Sequence, residues 1–158
     1  MKWLVAFLSV AVAIVAAVAA PAVFHARDRS AANRTMSSIR SIATAWESRA
    51  TDFNTYAVGV KRPDWPAPAD KFTWSHMHRL RSADLERALS PTYLKTFPHL
   101  DGWGTPFEFM TGDQNYAIRS LGSDRRADGD TYQSGAMSDL SRDFVYANGS
   151  FVTYIAGG

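Results

Sequence analysis

From Trp3 to Phe24 the chain reads WLVAFLSVAVAIVAAVAAPAVF, 22 residues without a charge. At about 1.5 Å per residue, a helix of that length just crosses a bilayer core of roughly 30 Å. No glycine or proline follows before Phe53, and Met36, Ile39, Ala43, Trp46, Ala50 and Phe53 recur at steps of three and four. That spacing draws one apolar stripe along one helix. The pattern therefore predicts a single long helix, with a membrane half over residues 1–26 and an amphipathic half beyond it. Lys2 precedes the apolar run while His25, Arg27, Asp28 and Arg29 follow it, so charge specifies orientation only weakly. A cleaved signal peptide ending near Ala17-Val18-Ala19 is the competing reading of the same stretch, although Pro21 sits awkwardly close behind.

With 158 residues, the remainder suits one domain, taken as residues 27–158. The absence of cysteine excludes a disulfide framework, a thiol nucleophile and a zinc ribbon. A formal charge of +2, with no stripe of basic residues interleaved with aromatics, argues against a nucleic-acid partner. The sequence contains no G-x-S-x-G elbow, phosphate-cradling glycine loop or H-E-x-x-H pair. An enzyme with a small-molecule substrate is therefore not expected. His76 and His78 could face one way on a strand, but no third ligand lies near them in sequence.

Three prolines within six positions make residues 57–75 read as an extended surface loop. Ser82 offers an N-cap to a short helix with Leu85, Ala88 and Leu89 on one face, and Pro91 stops it. Gly102, Gly104 and Pro106 set a tight turn, over which Trp103 is expected to pack. Beyond it, PFEFM, NYAIRSL, DFVYA and SFVTYI read as strands, and Asn148-Gly149 as a two-residue hairpin turn. The expected fold is α+β: the long helix packed on a small antiparallel sheet of three to four strands, anchored by Trp46 and Phe53.

Between the second and third of these strands lies SLGSDRRADGD and its continuation, carrying Asp124, Asp128, Asp130, Asp139 and Asp143 with Gly122, Gly129 and Gly135. Six to eight such oxygens suit Ca²⁺, yet the loop is no EF-hand, since Arg126 and Gly135 stand where that loop needs ligands. Read by its residues alone, it is either a solvated Asp/Gly loop or a cation site.

Three stretches together resemble the type IV pilin-like proteins, and most closely the major pseudopilins of type II secretion systems. They are the N-terminal helix closing on Asp52 and Tyr56, the block ALSPTYLKTFPHLDGWGTPFEF, and YAIRSLGSDRRADGD followed by SRDFVYANGSF. One position departs: aligned on Pro21, Val5 or Leu4 stands where the family carries a glutamate. The resemblance implies a pilin-like fold and a non-catalytic filament subunit, held by one pass in the bacterial inner membrane with its domain in the periplasm. Its partners would be other pilin-like subunits, bound through the N-terminal helix, and the secretion-system assembly platform. It also implies a structural Ca²⁺ held by the Leu121 carbonyl and Asp124, with Asp143 or Asp139 completing the set. A secreted or periplasmic binding module with a cleaved signal is the alternative.

Overall fold

The computed structural model describes residues 2–61, 63–64, 71–76 and 78–155, with side chains from Phe24 onward except that of His76. The first helix, α1, runs Lys2–Phe53 without interruption. Its domain-facing burial begins at Ala31 and Ala32, and continues through Thr35, Met36, Ile39, Ile42, Ala43, Trp46 and Ala50. The predicted stripe is thus the buried face, with one exception. Phe53 is 60% exposed, because the helix ends there and its ring lies under the Arg49 guanidinium, 4.8 Å away, rather than on the sheet. Trp46 is the anchor: its indole N–H donates to the Tyr56 carbonyl at 2.9 Å, and its ring meets Tyr116 and Phe109 at 4.9 and 6.5 Å.

Among the described residues eight short strands follow, with a second helix, α2 (Ser82–Leu89), among them. They are β1 (Lys71–Thr73), β2 (His78–Leu80), β3 (Glu108–Thr111), β4 (Tyr116–Ser120), β5 (Thr131–Gln133), β6 (Gly135–Met137), β7 (Phe144–Ala147) and β8 (Ser150–Ile155). Six of them form one sheet in the order β2-β3-β4-β7-β8-β6, and β1 pairs with β5 in a separate two-stranded ribbon. The four expected strands are β3, β4, β7 and β8, and Asn148 (φ 48°) with Gly149 (φ 91°) turns the last two about each other.

The expected small, wholly antiparallel, pilin-like sheet is corrected here. The sheet is six-stranded and mixed, because β6 pairs parallel to β8. The cause is the path of the acidic loop. Residues 138–143 reverse the chain between β6 and β7 and the 148–149 turn reverses it again, so β6 and β8 run the same way. A second correction concerns residues 57–75, read as a surface loop. Phe72 and Trp74 are buried there, on β1 and on the single 3₁₀ turn that follows it.

Alternation along the strands separates two faces. Phe109, Tyr116, Ile118 and Phe144 share a core with α1 and with Leu85 and Leu89 of α2. Met110, Ala117, Val145, Ala147 and Val152 share another with Phe72, Trp74 and Tyr132 of the ribbon. The sheet is therefore covered on both sides, and β4 is buried at all five positions.

Among the described residues, no helix is long and apolar enough to cross a membrane. The expected span, residues 3–24, lies outside the residues whose side chains are described, Phe24 excepted. α2 begins one residue earlier than a Ser82 cap would require: Ser82 is already helical and Arg81 is the N-cap, without a side-chain capping bond.

Candidate functional site

Two motifs meet at one end of the sheet. In the turn after Leu100, Asp101 is buried and its Oδ1 accepts from the amides of Trp103 at 2.9 Å and Thr105 at 2.8 Å. Its Oδ2 accepts from the Ser120 hydroxyl at 2.7 Å, where β4 ends and the acidic loop begins. The aspartate of the aromatic-glycine block thereby ties itself to the first serine of Ser-Leu-Gly-x-Asp. Trp103 leans on Phe144 at 5.7 Å, as a packing residue rather than a ligand.

From Ser120 the chain turns through Gly122 (φ 63°). A Cβ at Gly122 would stand 2.5 Å from the Arg142 carbonyl oxygen and 2.6 Å from that of Ser141, so only glycine allows the two ends of the loop so close. The Ser123 amide donates to the Leu140 carbonyl at 2.9 Å. The expected ligands Leu121 and Asp124 are thus on one of two adjoining segments, and Asp139 and Asp143 on the other.

The three aspartates differ in environment. Asp124 is exposed, and its Oδ1 accepts from the Arg126 amide two residues on, at 2.9 Å. Asp139 is exposed and does the same for Ser141, accepting from its amide and hydroxyl at 2.9 and 2.8 Å. Those bonds, the backbone one first, hold its carboxyl below the usual carboxylate range. Such short-range bonds are what Asp offers any turn. Asp143 is 1% exposed. Its Oδ2 accepts from the Tyr132 hydroxyl and from the Asp128 amide at 3.1 Å, and lies 3.9 Å from the Arg119 guanidinium. Its Oδ1 is buried with no hydrogen-bond partner. Burial outweighs the bonds it accepts and pushes this carboxyl above the usual range.

Around Asp143 stand Asp128 and two residues that sequence reasoning passed over, Tyr132 and Arg119. Asp128 Oδ2 accepts from the Asp143 amide at 2.8 Å and from Arg142 Nε at 2.9 Å, so the two aspartates brace each other's backbone. It is Arg142 that pairs with Asp128, while Asp130 takes the amide of Ser75 at 2.7 Å and its hydroxyl. Arg125 reaches the Trp103 carbonyl at 3.1 Å. Arg119 lies buried under the Trp74 ring, 4.2 Å from its centroid, and donates to Tyr132 at 2.8 Å and to Glu108 at 2.9 Å. The one signal for this was an arginine inside the otherwise apolar run YAIRSL, since a charge on a buried strand needs a partner.

The arrangement can hold a hard cation only with help from the backbone. Among the described residues, no three His, Cys, Asp or Glu stand close enough together to hold a metal ion. The donor set still suits Ca²⁺, which accepts carbonyl oxygens alongside carboxylates. The orphaned Asp143 Oδ1, and the carbonyls of Ser141 and Arg142 crowded against Gly122, are oxygens of the required kind. A cavity of about 780 Å³ opens beside them, lined in part by Asp128, Asp139 and Asp143. His78 lies on β2, half-buried, and the side chain of His76 is outside the described residues.

Comparison of the chain with protein-family models, with curated proteins and with solved structures yields no match.

Proposed function

We propose that this chain is a non-catalytic structural subunit of a type II secretion pseudopilus or a type IV pilus-like filament. It is anchored in a bacterial inner membrane by its N-terminal helix, with residues 27–158 in the periplasm. The observation that carries the reading is the register of burial along α1. Among the helix residues whose side chains are described, Phe24 is 63% exposed and none before Ala31 is buried, whereas from Ala31 onward one face is covered by the domain. The apolar stretch in front of that boundary has 22 uncharged residues for a bilayer, or for the same helix of a neighbouring subunit. The sequence resemblance to the pseudopilins adds the partners: other subunits through the helix, and the assembly platform that would gather them.

Ca²⁺ would be held by the Leu121 carbonyl and Asp124 from one segment, and by Asp143 or Asp139 from the other. Bound there, it would supply fixed positive charge that clamps the two ends of the loop. The chain's own residues already bring those ends together through Ser123 and Leu140, and hold Asp143 through Tyr132.

Mass spectrometry of the N-terminus, on protein taken from membrane fractions, tests the reading. An intact or N-methylated start is expected, whereas a mature chain beginning near Ala20 would overturn it in favour of an exported binding module.

A further inference from the structure

A second concave site lies away from the acidic loop, where the end of α1, the segment after it, β2 and α2 converge. It encloses about 640 Å³ and is lined by Arg49, Arg79, Arg81 and Arg87, with Asp84 the one carboxylate among the described lining residues. Those described residues carry a formal charge of +3 in a chain whose total is +2. Val58, Val60 and Leu80 supply apolar surface between the guanidinium groups. We propose that this cleft is a docking site for an acidic segment of a protein partner, one that alternates carboxylates with apolar side chains.

The argument starts from how the arginines are satisfied. Arg81 and Arg87 share Asp84, at 2.7 Å for Arg81. Arg79 reaches Glu108 at 3.3 Å, but that carboxylate is also held by the buried Arg119. Two carboxylates thus serve four guanidinium groups. Arg49 donates to the Ala57 carbonyl at 3.2 Å and stacks on Phe53, so its charge meets no carboxylate among these contacts. The side chains of Arg79, Arg81 and Arg87 are 75, 81 and 74% exposed, hence free to turn outward to a ligand. Guanidinium forks match carboxylates in pairs, and an excess of one sign in a cleft concentrates its counter-charge. The volume also lies in the range of sites that enclose a ligand, well beyond a single inorganic ion.

A lipid headgroup is the other anion to weigh, and position argues against it. Arg49 lies 25 residues beyond Phe24 along α1, or roughly 38 Å at 1.5 Å per residue, so a bilayer holding the apolar segment is out of reach. That step rests on the membrane reading above, whereas the charge and shape of the cleft do not.

The test uses the full chain in neutral detergent micelles and a fluorescein-labelled peptide of alternating Asp, Glu and Leu, read by anisotropy. Binding is expected to weaken at least tenfold in the Arg79→Gln/Arg87→Gln double variant and in a matched Asn/Gln peptide, and to weaken as salt rises. Arg125→Gln, which removes a charge that does not line the cleft and reaches the Trp103 carbonyl instead, should bind as the parent does. Three results would each overturn the proposal. They are equal binding by the double variant, displacement of the peptide by inorganic phosphate at equal concentration, or phosphatidylglycerol vesicles binding at the cleft more tightly than the peptide. An N-terminus found near Ala20 leaves this experiment untouched, so the two readings fail separately.

Discussion

Replacing Gly102 by alanine places a methyl group where the chain has left no room for one. An ideal Cβ there would stand 2.0 Å from the Ala31 carbonyl oxygen, 2.5 Å from its carbon and 2.7 Å from the Ala31 Cα. Those are backbone atoms of α1, which cannot rotate aside, so the Asp101–Gly104 turn must lift by more than about 1 Å to restore ordinary contact. Forcing an extra carbon into a packed site costs about 1 to 3 kcal/mol. The lift also breaks two bonds that clip turn to helix, from the Gly102 amide to the Thr35 hydroxyl at 2.8 Å and from Arg34 to the Gly102 carbonyl at 3.2 Å. At about 1 kcal/mol each, they bring the total to about 3 to 5 kcal/mol. That is a large part of the 5 to 15 kcal/mol that typically holds a domain together. Urea denaturation of the full chain in detergent, followed by tryptophan fluorescence, should show at least a hundredfold fall in the folding equilibrium. Gly135→Ala is the control: nothing lies within 4 Å of its Cβ position, and it should cost under about 1 kcal/mol. If Gly102→Ala stays within about 1 kcal/mol of the parent, or Gly135→Ala costs as much, the close approach of turn to helix is not what the motif serves.

Two further outcomes concern the acidic loop. At a Ca²⁺ concentration 100 times its Kd, the full chain should gain about 2.7 kcal/mol, or roughly 5 to 10 °C in melting temperature, over the same chain in chelator. Asp124→Ala should abolish the difference, and a parent protein that melts alike in both conditions would sink the cation site. Asp143 bears on pH dependence. Burial raises its folded pKa, so the folded state holds that proton more tightly than the unfolded one. Its contribution to stability is present below about pH 4, the ordinary Asp value, and is lost as pH rises through the raised value. The parent should therefore lose ground to Asp143→Asn as pH rises above about 4, as read from paired urea titrations. A difference that moves in the parent's favour with rising pH would contradict the assignment.

Periodicity carried the reading of α1 because the helix presents one face to one partner, and Met36, Ile39, Ala43, Trp46 and Ala50 are buried in register. It failed at Phe53, where the end of the helix rather than its stripe decides the environment. The four longer strands were legible for a similar reason, since each offers apolar residues to a core. β1, β2, β5 and β6 have three residues each, too few to display a period, and β6 is mostly exposed. Their pairing depends on where long connections land, and the parallel contact of β6 with β8 follows from two reversals far apart in function if near in sequence. At the site, the aspartate preceding β7 could be singled out because a strand start carries it inward. Nothing local tells that Asp143 Oδ1 is left without a donor while Asp124 and Asp139 bond to their own turns. That difference is set by Arg119 on β4 and by Asp128 and Tyr132 from the segment entering β5, two parts of the chain outside Asp143's own turn.

The β1–β5 ribbon also sets a clock. Lys71 pairs with Gln133 and Thr73 with Thr131, so the first strand waits for a partner about 60 residues behind it. At 5 to 20 residues per second, that is roughly 3 to 12 s of synthesis, or the equivalent delay for a chain threaded through a membrane N-terminus first. Throughout that interval Phe72 and Trp74 have no Tyr132 to close over them, although β2, β3 and β4 become available to pair before it ends. The domain is thus finished from its C-terminal end. A chain cut short before Thr131 would keep two large aromatic side chains in water permanently, a state that proteases and aggregation both find before any function is reached.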